Sequence, residues 1–214
     1  MRVESIKHKR ARMFEILGIL KLEYPDSKCS LDYNTPFQLL VATVLSAQCT
    51  DERVNKVVVP LFGKYPTPES FTQLTVGEIG KEIYSTGFYN NKAKSIKGLS
   101  HALVDEHSGE VPGTMDELVN LPGVGRKTAN VVLGNIFDVP GVVVDTHVTR
   151  ISNLLGFTKS KNAVIIEREL EKIIVKSDWT FFTHLIIDHG RAVCVANRPN
   201  CSECTISNSC PSST

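Results

Sequence analysis

Apolar residues recur three and four positions apart along most of this chain, a period that suits a helix and not a strand. Met13, Ile16, Leu17 and Leu20 lay one such stripe, and Phe37, Leu40, Val41, Val44 and Leu45 another. Further stripes run through Ile96, Leu99 and Leu103, through Ile165, Ile166, Leu170 and Ile173, and through Trp179, Phe182, Leu185 and Ile186. Start signals agree with them: the Thr35 hydroxyl stands before a proline at the first helical position, and Asp178 precedes the Trp179 stripe as a capping residue. Val142, Val143 and Val144 have β-branched character, but alternating strand patterns are scarce elsewhere. Breakers at Tyr65-Pro66-Thr67-Pro68, from Gly109 to Gly113 and at Pro140-Gly141 divide the chain without a long linker, and no repeat of fixed period argues for a solenoid. The predicted fold is all-α, with the stripes forming its core.

A chain of 214 residues with 42% hydrophobic content suffices for one full core or for two small helical lobes sharing a cleft. The first residues carry Arg2, Lys7, Lys9, Arg10 and Arg12 but no apolar run of signal-sequence length, and no segment is long enough to span a bilayer. The protein is therefore expected inside the cell, in the cytoplasm or nucleoid if the source is a prokaryote, without a membrane partner. Its net charge of +1 decides little, because 24 basic residues nearly cancel 23 acidic ones. Basic residues gather at the N-terminus, at Lys92, Lys94 and Lys97, and at Arg191 and Arg198. A solvated face explains each group as readily as nucleic-acid binding does.

Cysteine usage is more specific. Cys29 and Cys49 stand alone and read as small buried hydrophobes. Cys194, Cys201, Cys204 and Cys210 follow the spacing Cys-x6-Cys-x2-Cys-x5-Cys. Without an export signal, ligation is a better reading than a disulfide framework. Four thiolates in a short loop hold either a tetrahedral zinc or an iron-sulfur cluster, and spacing alone leaves both open.

The stretch Leu121-Pro122-Gly123-Val124-Gly125-Arg126-Lys127-Thr128-Ala129-Asn130 lies between a short helix, 115–120, and an apolar one through Val131, Val132, Leu133, Ile136 and Phe137. Two glycines around one apolar residue permit a tight turn with positive φ and a close backbone approach to a ligand. The amides of that turn, with those of the following helix start, would point at an anion such as a DNA phosphate. An ordinary glycine-rich turn between packed helices is the plainer alternative. Lys127 opens the second helix, where the positive end of the helix dipole disfavours a protonated amine and desolvation in a cleft would add to that effect; the neutral amine is a nucleophile. After the valine run, Asp145-Thr146-His147-Val148-Thr149-Arg150 begins another apolar helix. Capping would by itself account for Asp145, and His147 reads as structural.

In order along the chain, the hairpin lysine, the Val144-Asp145-Thr146-His147 segment and the cysteine intervals resemble the endonuclease III family, and the similarity runs from about Phe14 to Cys210. The resemblance implies a bifunctional DNA glycosylase and AP lyase of base excision repair that removes oxidised or ring-damaged pyrimidines from duplex DNA. Lys127 would attack the sugar C1′, displace the base and leave a Schiff base from which β-elimination cuts the strand. Asp145 would be the catalytic aspartate, meeting the positive charge that develops at C1′ and taking protons from the amine. The family pattern tips the four cysteines from zinc to a 4Fe-4S cluster. It also implies two helical lobes: a six-helix barrel over 29–139 that contains a helix-hairpin-helix at about 115–137, and a second lobe from 1–28 and 140–214 with the cluster loop at 194–210. The active site would lie in the cleft between them.

Gly123, Val124, Gly125 and Arg126 would then grip the DNA backbone, with Arg191 and Arg198 as further backbone contacts near the cluster loop. A glycosylase turns its target nucleotide out of the stack and must fill the gap. Gln48, in Leu45-Ser46-Ala47-Gln48-Cys49-Thr50-Asp51, matches the family's inserted glutamine. Phe88, in Thr86-Gly87-Phe88-Tyr89-Asn90, takes the place of an apolar wedge that is more commonly leucine. The expected partner is double-stranded DNA with damaged bases or abasic sites, and since one subunit serves one lesion, a monomer is expected. The rivals are a mismatch- or adenine-specific glycosylase of the same superfamily and a non-catalytic DNA-binding or redox module on the same scaffold. Relatives of the first kind generally lack a lysine at this position, and adenine-specific ones carry an additional C-terminal domain for which this chain has no room.

Overall fold

The computed structural model describes residues 4–213, and all the regular structure among them is helical. The α-helices are α1 (Ile6–Glu23), α2 (Pro36–Leu45), α3 (Asp51–Lys64), α4 (Pro68–Thr72), α5 (Val76–Glu82), α6 (Tyr89–His107), α7 (Met115–Asn120), α8 (Arg126–Ile136), α9 (Thr146–Leu154), α10 (Ala163–Glu171) and α11 (Trp179–Ala192). Short 3-10 turns lie at Tyr84–Thr86, Lys176–Asp178, Cys201–Glu203 and Ser207–Ser209. The chain divides into two compact units. A central unit holds Ser30–Val139, and a terminal unit joins the described residues up to Cys29 to those from Pro140 onward. No helix among the described residues is long and apolar enough to cross a membrane.

In the central unit, α2 is buried from Phe37 to Leu45 without a break. A helix apolar all round must be covered all round, and α3, α6 and α8 pack against it. Local chemistry sets the starts: Thr35 accepts from the Gln38 amide at 3.2 Å ahead of Pro36, and Thr50, Thr75 and Thr114 cap α3, α5 and α7 in the same way. The Tyr65-Pro66-Thr67-Pro68 breaker separates α3 from α4.

The terminal unit is built on contacts distant in sequence. Met13, Ile16, Leu17 and Leu20 of α1 share one core with Val148, Ile151, Phe182, Leu185 and Ile186. Burying such side chains stabilises by roughly 1.5–3 kcal/mol each. Gly190 lets α11 and α9 come close, since a Cβ there would stand 2.5 Å from His147 Nδ1 and 2.9 Å from Ile151 Cδ1.

Several local expectations are corrected. Asp178 stands at the N-cap position of α11 but its side chain makes no cap bond; its backbone belongs to the preceding 3-10 turn, and its carboxylate pairs with Lys21 at 2.8 Å. The valine run at 142–144, in keeping with the all-α reading, forms no strand; the Val143 amide donates to a side chain, Thr183 Oγ1, at 3.1 Å. Ile165 is 47% exposed and lies off its stripe's buried face. Cys29 and Cys49 are half-buried, not buried.

The basic N-terminal run is largely taken up in structure. Lys9 Nζ donates to the Phe157 carbonyl and Arg10 Nε to that of Lys172. Arg12 pairs with Glu4, donates to the carbonyls of Leu155 and Ser209, and stacks over Phe157. Arg2 lies outside the described residues.

Candidate active site

In the central unit, α7 and α8 are joined by a turn in which the two glycines do different work. Gly123 has φ +78, and a Cβ there would stand 2.4 Å from Ser95 Cβ, so both backbone and packing exclude a side chain. Gly125 has an ordinary φ of −99 and open space where its Cβ would be, so of the two glycines only Gly123 uses the positive φ that the pair permits. Gly125 is instead the N-cap of α8, and it is a cap without a side chain. Its helix accordingly begins with no side-chain cap bond. Val124 is the buried anchor between the glycines, and its amide donates to the Leu121 carbonyl at 3.1 Å. Arg126 and Lys127 occupy the first two helical positions, and both are exposed. The desolvation expected around Lys127 is therefore absent from the unliganded protein; an exposed amine loses its water only when something docks over it.

Gln48 and Phe88 share an unusual backbone. Gln48, between α2 and α3, has φ +52; Phe88, between the 84–86 turn and α6, has φ +48. Both are exposed, Phe88 by 63%. Non-glycine residues in the left-handed region are costly and concentrate at functional sites. Lys92, expected in a surface patch with Lys94 and Lys97, is buried. Its ammonium donates to the carbonyls of Leu45 and Thr86, each at 2.8 Å, and burial pushes its pKa below the usual lysine value, opposed by the Cys49 thiol. Lys97 donates to the Thr72 carbonyl, and of the three only Lys94 is fully exposed.

In the terminal unit, Asp145 is half-buried and caps α9, with Oδ1 accepting from the Val148 amide at 2.8 Å. Two residues on, His147 faces the Arg150 guanidinium, with Nδ1 3.4 Å from Nη2.

Cys194, Cys201, Cys204 and Cys210 line one cavity of about 50 Å³ together with Ile151, Leu155 and Ile206. One water-sized body takes about 10–15 Å³, so the space takes several such bodies. No group of three or more His, Cys, Asp or Glu among the described residues is placed to hold a metal ion. Burial pushes the Cys204 thiol up, and its three neighbouring thiols push it the same way. Arg150 supplies positive charge here, donating to the Cys194 carbonyl at 2.6 Å and to its sulfur at 3.5 Å. Sequence reasoning missed this arginine; its only signal was a cation on the helix that Asp145 caps. Arg191 and Arg198 are exposed, and Arg191 lines a second cavity, of about 440 Å³, with Thr146, His147 and Arg150.

These features define a class. The chain matches the family described as HhH-GPD superfamily base excision DNA repair protein over residues 41–176, more than half its length. It is 55% identical to the endonuclease III of Synechocystis sp., covering 98% of this chain and 96% of that one. It is 39% identical to that of Escherichia coli strain K12, covering 94% and 95%. Among solved structures, a non-covalent endonuclease III–DNA complex superposes with a TM-score of 0.91 at 43% identity, covering 95% of this chain and 96% of that one. A trapped covalent endonuclease III–DNA intermediate gives 0.90 at 44%, with the same coverage. The chain belongs to the endonuclease III family, whose members are DNA N-glycosylases with AP-lyase activity. A thermostable thymine-DNA glycosylase, 23% identical with a TM-score of 0.84, shares the fold.

Proposed function

We propose that this protein removes oxidised or ring-damaged pyrimidines from duplex DNA and cuts the strand at the resulting abasic site, using Lys127 as nucleophile. The observation that carries the residue assignment is the start of α8, a helix left without a side-chain cap and bearing an exposed lysine at its second position. A DNA phosphate docked at the N-terminal end of α8 takes the place of the missing cap and brings the sugar to the lysine.

The Lys127 amine forms a bond to C1′ as the C1′–base bond breaks, and the base leaves with the electron pair and gains a proton. Ring opening gives a Schiff base. Loss of a C2′ proton then expels the 3′ phosphate by β-elimination. Asp145 spends one oxygen on its helix cap, and its other oxygen is the one to accept a proton from the amine and to face the positive charge at C1′. Gln48 and Phe88 enter the stack where the damaged nucleotide leaves it. Arg126, Arg191 and Arg198 contact the backbone, so affinity falls with rising salt.

The four thiols line one space that takes several atoms, which suits a 4Fe-4S cluster. When bound, the cluster would supply metal–thiolate bonds that cross-link residues 194–210. Arg150, which donates to the Cys194 sulfur, would offset negative charge on the cluster's ligands. The central unit corresponds on this reading to the barrel lobe with the helix-hairpin-helix, and the terminal unit to the cluster lobe. One copy of the chain acts on one lesion.

Borohydride trapping on a duplex with a single thymine glycol tests the assignment. The wild type is expected to form a covalent complex on a denaturing gel, and Lys127→Ala none. An adduct that survives the substitution removes Lys127 from the chemistry.

A further inference from the structure

The two loops that carry Gln48 and Phe88 are remote in sequence, yet one side chain ties them. Lys92 projects from the first turns of α6 into the central unit, 5% exposed, and gives one N–H to the Leu45 carbonyl and another to the Thr86 carbonyl, both at 2.8 Å. Leu45 ends α2 three residues before Gln48, and Thr86 ends its 3-10 turn two residues before Phe88. Carbonyls at helix ends lack intrahelical partners and carry partial negative charge, which suits them to an ammonium. The Lys92 backbone amide also donates to the Phe88 carbonyl at 3.1 Å.

We propose that Lys92 is a positioning residue that sets the spacing of Gln48 and Phe88, so that both enter the DNA stack in one docking step. The proposal rests on the reading that these two residues are the wedges.

Stability alone does not explain this lysine. Its hydrogen-bond acceptors are carbonyls, not carboxylates, so no ion pair offsets the cost of burying the ammonium. What the ammonium provides is geometry: three donors on one atom fix two chain segments to a common point, which a methylene stem cannot do. The segments need such fixing. Left-handed backbone at non-glycine residues persists only where its surroundings over-determine it, and both wedges are exposed side chains with little packing of their own. The burial that lowers the lysine's pKa also means that water does not compete for the two carbonyls.

The test compares two substrates. Excision of thymine glycol from a duplex needs both wedges, whereas strand cleavage at a preformed abasic site in single-stranded DNA needs neither, because no stack is opened. Lys92→Met is expected to lower duplex excision on the order of 10- to 100-fold, mainly in kcat, the penalty typical of sub-ångström to ångström misplacement. Single-strand cleavage is expected to stay within about twofold of wild type, because the lysine nucleophile is untouched. Lys92→Arg, which keeps the charge and several donors, is expected to recover part of the loss.

Equal losses on both substrates, or no loss on either, overturn the proposal. If Lys92→Met does not fold, Lys92→Gln, whose amide still reaches a carbonyl, is measured on the same pair with the same expected separation; failure of both to fold assigns the lysine to the core and also overturns it. Wild-type excision that is unchanged by Gln48→Ala and by Phe88→Ala would instead refute the underlying wedge reading.

Discussion

The two helices that carry the proposed chemical groups begin in opposite ways. α9 starts on Asp145, whose carboxylate closes the helix by accepting from the Val148 amide. α8 starts on Gly125, which has no side chain to close it, after a turn that places Gly123 against Ser95. A side-chain cap stabilises a helix by about 1 kcal/mol, and a glycine cap forgoes only part of that. The difference teaches where ligand binding is written into a helix start: an end that satisfies itself holds its own side chain in place, and an end left open holds something else. On this reading, α9 spends its cap to orient a carboxylate, and α8 gives up its cap to receive a phosphate.

Five substitutions break or sharpen that contrast. Lys127→Ala leaves the open helix start intact while removing the amine. It is expected to abolish the borohydride-trapped adduct, with DNA affinity in a gel-shift assay changed only a few-fold.

Asp145→Asn keeps a capping side chain at α9, so the melting curve should shift by less than the equivalent of about 1 kcal/mol. Turnover on a thymine glycol duplex is expected to fall on the order of 10²–10⁴-fold, the range for loss of a general acid–base group. A large stability loss with normal turnover would make the residue a cap and nothing more.

Gly123→Ala tests the turn that delivers α8. With φ +78 and Ser95 in the way, it is expected to cost about 1–3 kcal/mol in denaturant unfolding. Gly125→Ala, with an ordinary φ and open space, should cost under about 1 kcal/mol.

The smallest effect is the sharpest discriminator. Gly125→Ser installs the missing cap, which the open space around Gly125 accommodates. Stability should hold or rise by a few tenths of a kcal/mol, while duplex affinity is expected to fall about three- to ten-fold, because the new hydroxyl competes with phosphate for the same amides. Unchanged affinity would mean that these amides do not bind the backbone.

What could be read without coordinates was whatever depends on neighbours along the chain. The helical period laid out the stripes of α1, α2, α6 and α11, and Thr35-Pro36 marked a start that the structure keeps. The residues of α7 and the apolar face of α8 were legible for the same reason, as was the candidate set of Lys127, Asp145 and the four cysteines, which stand in motifs of fixed spacing. These are local signals, set by backbone geometry over a few residues.

What the tertiary structure alone decided involves partners far apart in sequence. Asp178 had the look of a cap, but Lys21, 157 positions away, claimed its carboxylate. Lys92 had the look of a surface charge, and only the packing of α6 against α2 shows it reaching the Leu45 carbonyl 47 positions away. Gly123 and Gly125 look alike on paper; Ser95 of α6 makes one of them indispensable. Arg150 became part of the cysteine site only once Cys194, 44 positions on, was folded against it. Sequence by itself determined which segments are helices and which residues stand as candidates for the chemistry, because those depend on local spacing. Only the fold decided which side chains are spent on holding the site and which are left to act, because a hydrogen bond or a clash is settled by whichever group arrives in space, whatever its distance along the chain.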